Sequence, residues 1–137
     1  MQFVRNFDDS AIVVGWGVSA VLLTDAGERG KKIGAALWGL GAVVDWQTDI
    51  PAIVDDTALI VIDCDAFGGI DAGQAILRRM TGDGPPLAAV LISGDVFVPQ
   101  FPEDRHQPVQ LRGPVSVVAL RVGFEHALRT AMQTLAA

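Results

Sequence analysis

Two short runs are apolar at every position, residues 57–62 (TALIVI) and 87–92 (LAAVLI). A strand covered on one face alternates, whereas one covered on both faces is continuously apolar and rich in β-branched residues. Both runs therefore predict buried strands. Residues 18–23 and 42–46 predict two more, and 109–111 (VQL) a short fifth. Between them the period changes. Ile33, Ala36, Leu37 and Leu40 share one helical face within residues 28–40, with Gly41 placed as a C-terminal cap. Ile70, Ile76, Leu77 and Met80 do the same in 70–80, and Leu120, Phe124, Ala127, Leu128, Ala131 and Leu135 form a stripe after Ser116, an N-cap residue. Pro51 suits the first turn of a brief helix over 50–54.

Strands alternating with helices predict an α/β protein, a three-layer α/β/α sandwich around a five-stranded parallel sheet of flavodoxin type. Residues 1–17 stand outside the alternation as an N-terminal extension, with 11–14 offering an extra edge strand; residues 18–137 form the domain. The stretch 96–108, with Pro99, Pro102 and Pro108, has no helical period, so a loop is expected there.

Composition narrows the classes. A chain of 137 residues, half of them apolar, suits one domain. The net charge of −6, with no basic-aromatic cluster, argues against nucleic acid as a partner. The apolar run at 11–23 is too short to span a bilayer and lacks a basic flank, so a cytoplasmic protein without membrane contact is expected. The single cysteine, Cys64, excludes an intrachain disulfide and is expected to pack as a small apolar residue. His106 and His126 lack ligand-like spacing. Trp16, Trp38 and Trp46 are expected in or near the core.

Gly15, Gly17 and Ala20 spell G-x-G-x-x-A, the outline of a dinucleotide-binding turn. That motif needs a strand before Gly15 and a helix after Gly17. The competing assignment makes 18–23 the strand, with Thr24 and Asp25 at its carboxyl end, and is favoured because the alternative helix would be apolar all round in its first turns. Three strand ends then carry polar groups: Thr24 and Asp25, Asp63, and Ser93. Ligand chemistry in parallel sheets gathers at this edge, and neighbouring carboxylates can hold a hard cation.

This order resembles the receiver domain of two-component response regulators over most of residues 18–137. LLTD supplies Asp25, LIVID supplies Asp63, LISGD supplies Ser93, and LRGPVS aligns with the segment that carries Lys-Pro in that family. The resemblance implies Asp63 as phosphoacceptor, Ser93 as the switch hydroxyl and Asp25, Asp63 and Asp65 as candidate magnesium ligands. The departures are specific. Thr24 stands where a second acid is usual, and Gly113 occupies the lysine position. Arg112 lies one residue early, which in a strand turns its side chain to the other face unless it swings inward.

The sequence is therefore expected to be a degenerate receiver, or pseudo-receiver. It would be a stand-alone module of two-component, phosphorelay-type signal transduction that is not an enzyme and requires no cofactor other than Mg²⁺ where phosphorylated. Its partner would be a histidine kinase, another regulator or a second copy, through Phe97, Val98, Phe101 and Phe124. The alternatives are a working single-domain response regulator phosphorylated on Asp63, and a small Rossmann-like nucleotide-binding protein using Gly15 and Gly17.

Overall fold

Every position of β3 (Leu59–Asp63) and β4 (Ala89–Ser93) is buried in the computed structural model, as their unbroken apolar runs require. The structure describes residues 17–25, 27–49, 59–82, 88–104 and 107–136. With β1 (Ser19–Leu23), β2 (Val43–Gln47) and β5 (Val109–Arg112), these strands form one sheet in the order β2-β1-β3-β4-β5, and each pairing is parallel. This is the flavodoxin-type doubly wound order, which reverses direction between β1 and β3. The expected extra strand at 11–14, Gly15, Trp16, the brief helix at 50–54 and His106 lie outside the described residues.

Alternation along the strands divides the core. Ala20, Leu22, Leu59, Val61, Val90, Ile92, Val109 and Leu111 face Ile33 and Leu37 of α1 (Glu28–Gly39) and Leu120 and Phe124 of α3 (Val117–Ala136). Leu23, Ile60, Ile62, Ala89 and Leu91 face Ile76 of α2 (Ile70–Thr81), so helices cover both faces. Gly41, at φ +92°, ends α1 as expected of a cap residue. The Ser116 hydroxyl accepts a hydrogen bond from the Ala119 amide at 3.0 Å and caps α3.

The described part of 94–108 contains no helix. Its one regular feature is an antiparallel bridge, with Gln100 and Gln110 exchanging backbone hydrogen bonds of 2.8 and 3.0 Å. Gly17, at φ +72°, donates its amide to the Gly41 carbonyl and leads into β1 rather than a helix. The strand at 19–23 removes the helix that a dinucleotide turn needs after Gly17.

Two expected placements are corrected. Phe124, offered as a surface contact, is fully buried: it lies four residues from both Leu120 and Leu128, on the stripe that covers the sheet. Trp38, expected in or near the core, is 70% exposed, because one step beyond the buried Leu37 turns the side chain about 100° around α1. Among the described residues, no helix is long and apolar enough to cross a membrane.

Candidate functional site

The carboxyl edge of β1 and β3 holds a buried polar cluster. Asp63 ends β3 and is 1% exposed. An isolated carboxylate in such a place is costly, so it needs charge and hydrogen bonds around it. Thr24, also fully buried, donates its hydroxyl to Asp63 Oδ2 at 2.6 Å. Arg29 Nε donates to Oδ1 at 2.8 Å and to Oδ2 at 2.9 Å. One guanidinium thus spans both oxygens of the carboxylate.

The local fold dictates this arrangement. Thr24 follows β1 in the parity of Ala20 and Leu22, on the α1 side of the sheet, and Asp63 shares that side with Leu59 and Val61. Arg29 lies in the first turn of α1, which starts directly above this edge. Gly30 permits the approach: a Cβ there would meet Thr24 Oγ1 at 2.6 Å and Cγ2 at 2.7 Å.

A second polar cluster forms around Ser93. In register, Asp63 stands opposite Ile92, not Ser93. Ser93 is one residue further, so alternation carries its side chain to the α2 side with Ala89 and Leu91. Its hydroxyl donates to Asp65 Oδ1 at 2.6 Å and accepts from the Asp95 amide at 3.0 Å. The Gly94 amide donates to Asp65 Oδ2 at 2.8 Å. Burial raises the Asp65 pKa, but the Ser93 and Gly94 hydrogen bonds and the Arg29 charge outweigh it and hold the carboxyl below the ordinary aspartate value. Asp95 in turn accepts from the Ile70 amide at 3.2 Å, at the start of α2.

Asp25, the third acid, is largely exposed and turns back to accept from the Gly27 amide at 2.9 Å, with its Oδ2 3.8 Å from Arg29 Nη2. Among the described residues no group of three or more such side chains is placed to hold a metal ion. The positive charge among them is Arg29, whose pKa is raised, first by the hydrogen bond to Asp63 and further by the charges of Asp63, Asp25 and Asp65. A divalent cation would have to displace this guanidinium from both oxygens of Asp63. The residues present do not fit magnesium.

Arg112 ends β5. It pairs in register with Ser93, is exposed, and holds its guanidinium 5.6 Å from the centre of the Phe97 ring. Gly113 follows, with its amide donating to the Ser93 carbonyl at 3.0 Å and a cis peptide bond to Pro114. Of the surface candidates, Phe97 is 81% and Val98 60% exposed. Phe101 is partly covered by an edge-to-face contact with His126, 5.8 Å between ring centres. Cys64 is buried, and burial pushes its thiol up to about 12.

Arg29 is the functional residue that the sequence reading missed. Its signal is a basic residue in the first turn of a helix, where the helix dipole disfavours a cation. A nearby carboxylate explains such a residue.

The chain matches no protein-family model and has no significant sequence match among curated proteins.

Proposed function

We propose that this chain is a receiver-like signalling module that acts by binding a protein partner in two-component-type signal transduction, without phosphoryl transfer to Asp63. The fold supports it: the 2-1-3-4-5 order gathers Thr24, Asp63 and the Ser93 loop at the carboxyl edge of the strands. One observation carries the reading. Both oxygens of the buried Asp63 are engaged by Arg29, and Oδ2 also by Thr24. A phosphoryl acceptor needs a free carboxylate oxygen and cationic charge arranged around the incoming group. Here the charge neutralises the acceptor itself. The hydroxyl meant to sense the product is donated to Asp65 instead.

The same geometry gives the module a fixed state, because the internal ion pair provides what a metal would provide transiently. Partner contact falls to the exposed apolar side chains Phe97 and Val98 beside Arg112, on the loop that replaces a helix.

The test is the intact mass of the protein after incubation with acetyl phosphate and Mg²⁺, with Asp63→Asn and Arg29→Ala in parallel. The expected result is no adduct on the wild-type chain. A phosphoryl adduct on the wild type that disappears in Asp63→Asn would overturn the reading.

A further inference from the structure

The two edges of the sheet are finished differently. On one side the Gln100–Gln110 bridge covers part of β5. On the other, no position of β2 is buried, and among the described residues no strand lies beyond it. The Val43 amide and the Gln47 carbonyl bond to the β1 side, so Val44 and Trp46 direct their amides and carbonyls away from the sheet. An open edge of this kind invites another strand, and natural edges are commonly blunted with proline, lysine or a bulge. Residues 43–47 (VVDWQ) hold neither proline nor lysine, and their register with β1 runs without a bulge.

The surroundings of this edge are apolar. Val43 is 57% exposed, and Trp46 and Trp38 are exposed as well. A Cβ at Gly34 would meet the Trp46 ring at 3.4 Å, and Trp38 lies one turn further along α1, so both indoles stand on the α1 side of the sheet. Asp45 and Gln47 alternate to the other side, where Gln47 Nε2 donates to Asp45 Oδ1 at 2.9 Å.

This polar pair selects the occupant. A second copy that joins antiparallel about a two-fold axis bonds through the outward-facing residues, which leaves few registers. Centred on Asp45, the pairing sets two carboxylates against each other, which is destabilising. Centred on Val44, it sets Asp45 against the apolar Val43. Centred on Trp46, it sets Asp45 of each copy opposite Gln47 of the other, at the closer side-chain spacing, and the two Trp46 rings beside each other. The carboxylate–amide hydrogen bond found within β2 is then made twice across the interface, with a cross-strand aromatic pair between.

We propose that β2 is a dimer interface, pairing antiparallel with β2 of a second copy in the register centred on Trp46, so that the two sheets run on as one. The proposal goes beyond the signalling reading and does not depend on Asp63. It uses the edge opposite the one that carries Phe97 and Val98, so a dimer presents that partner surface twice.

The test is sedimentation equilibrium of the full chain from low micromolar to submillimolar concentration, with circular dichroism to establish that each variant is folded. The wild type is expected to dimerise. Gln47→Glu places a carboxylate opposite Asp45 and should raise the dimer Kd roughly three- to thirtyfold; Gln47→Lys places an ammonium there and should lower it roughly two- to tenfold. The double variant Asp45→Lys, Gln47→Glu sets opposite charges face to face and should dimerise at least as tightly as the wild type. A chain that stays monomeric throughout would overturn the proposal and leave the edge to a different strand. A dimer whose Kd moves in neither Gln47 variant, or in the same direction in both, would overturn it too, because the contact would lie on another face. The measurement reads assembly mass rather than phosphorylation, so failure here leaves the signalling reading standing.

Discussion

Removing the charge from position 29 tests the central interaction. In Arg29→Met, Asp63 keeps, among the described residues, only the Thr24 hydroxyl as a side-chain partner while still ending a fully buried strand. A hydrogen bond to a charged group contributes about 1.5–3 kcal/mol, and breaking a fully buried ion pair by deleting one partner costs about 3–5 kcal/mol. The pair here is asymmetric: the Arg29 side chain is 41% exposed and that of Asp63 1%. Water can approach from the arginine side, so the lower range applies, about 2 kcal/mol. For a domain of this size that is a fall in Tm of roughly 6–10 °C.

The assay is equilibrium urea unfolding followed by circular dichroism, run as a double-mutant cycle with Asp63→Asn. Asp63→Asn alone removes the need for a cation and should cost about 1 kcal/mol or less, because Arg29 can turn to water. The double variant should lie near Asp63→Asn, giving a coupling energy of about 1–2 kcal/mol. Arg29→Lys should fall between wild type and Arg29→Met, since an ammonium keeps the charge but not the Nε–H held between both oxygens. If Arg29→Met costs under about 0.5 kcal/mol and the coupling is zero, the ion pair does not hold Asp63, and the argument against a metal-ready acceptor fails with it.

Gly30→Ala should destabilise the fold by about 1–3 kcal/mol through its clash with Thr24, although alanine is the better helix former; chemical denaturation measures the sign. Asp65 gives an acid-side pH dependence. Its folded-state pKa is depressed, so its contribution is present above the ordinary aspartate value and is lost as pH falls from about 4 downward; Ser93→Ala should flatten that part of the stability–pH curve. The Cys64 thiol, raised to about 12, should resist iodoacetamide at pH 8 in the folded protein and react fully in urea, as mass spectrometry would read. Phe124→Ala should cost about 3–5 kcal/mol as a core truncation, whereas Phe97→Ala should change stability by less than about 0.5 kcal/mol as a surface one, both read by thermal unfolding.

The sheet was legible because its strands are short, apolar and bounded by Gly, Asp and Pro. TALIVI and LAAVLI admit few other placements once helical periods flank them. Thr24, Asp63 and Ser93 were found at strand ends because a polar residue after an apolar run marks where the strand leaves the core. Which of them touch was not legible. Contact depends on register, and a single step separates Ile92, opposite Asp63, from Ser93. Arg29 was hidden for a different reason: its long arm reaches back over the sheet edge from a helix whose starting point only the tertiary fold defines. For Arg112 the strand period gives the face but not the reach of a long side chain, which in the structure lies beside Phe97. For Phe124 the helical period marks an apolar stripe but not how much of it the sheet covers, and the sheet covers Phe124 fully.

The pairing of Asp63 with Ile92 has a consequence for engineering. The separation between this chain and a working acceptor can be counted in positions. A Cβ at Gly113 would come 3.5 Å from Ile92 Cγ2, so residues 92 and 113 are neighbours on the Asp63 side of the sheet. A hydroxyl at 92, a lysine at 113, an acid at 24 and a short neutral residue at 29 would place on that side the groups that the receiver pattern asks for. Ser93, the residue that looks right in the sequence, would take no part.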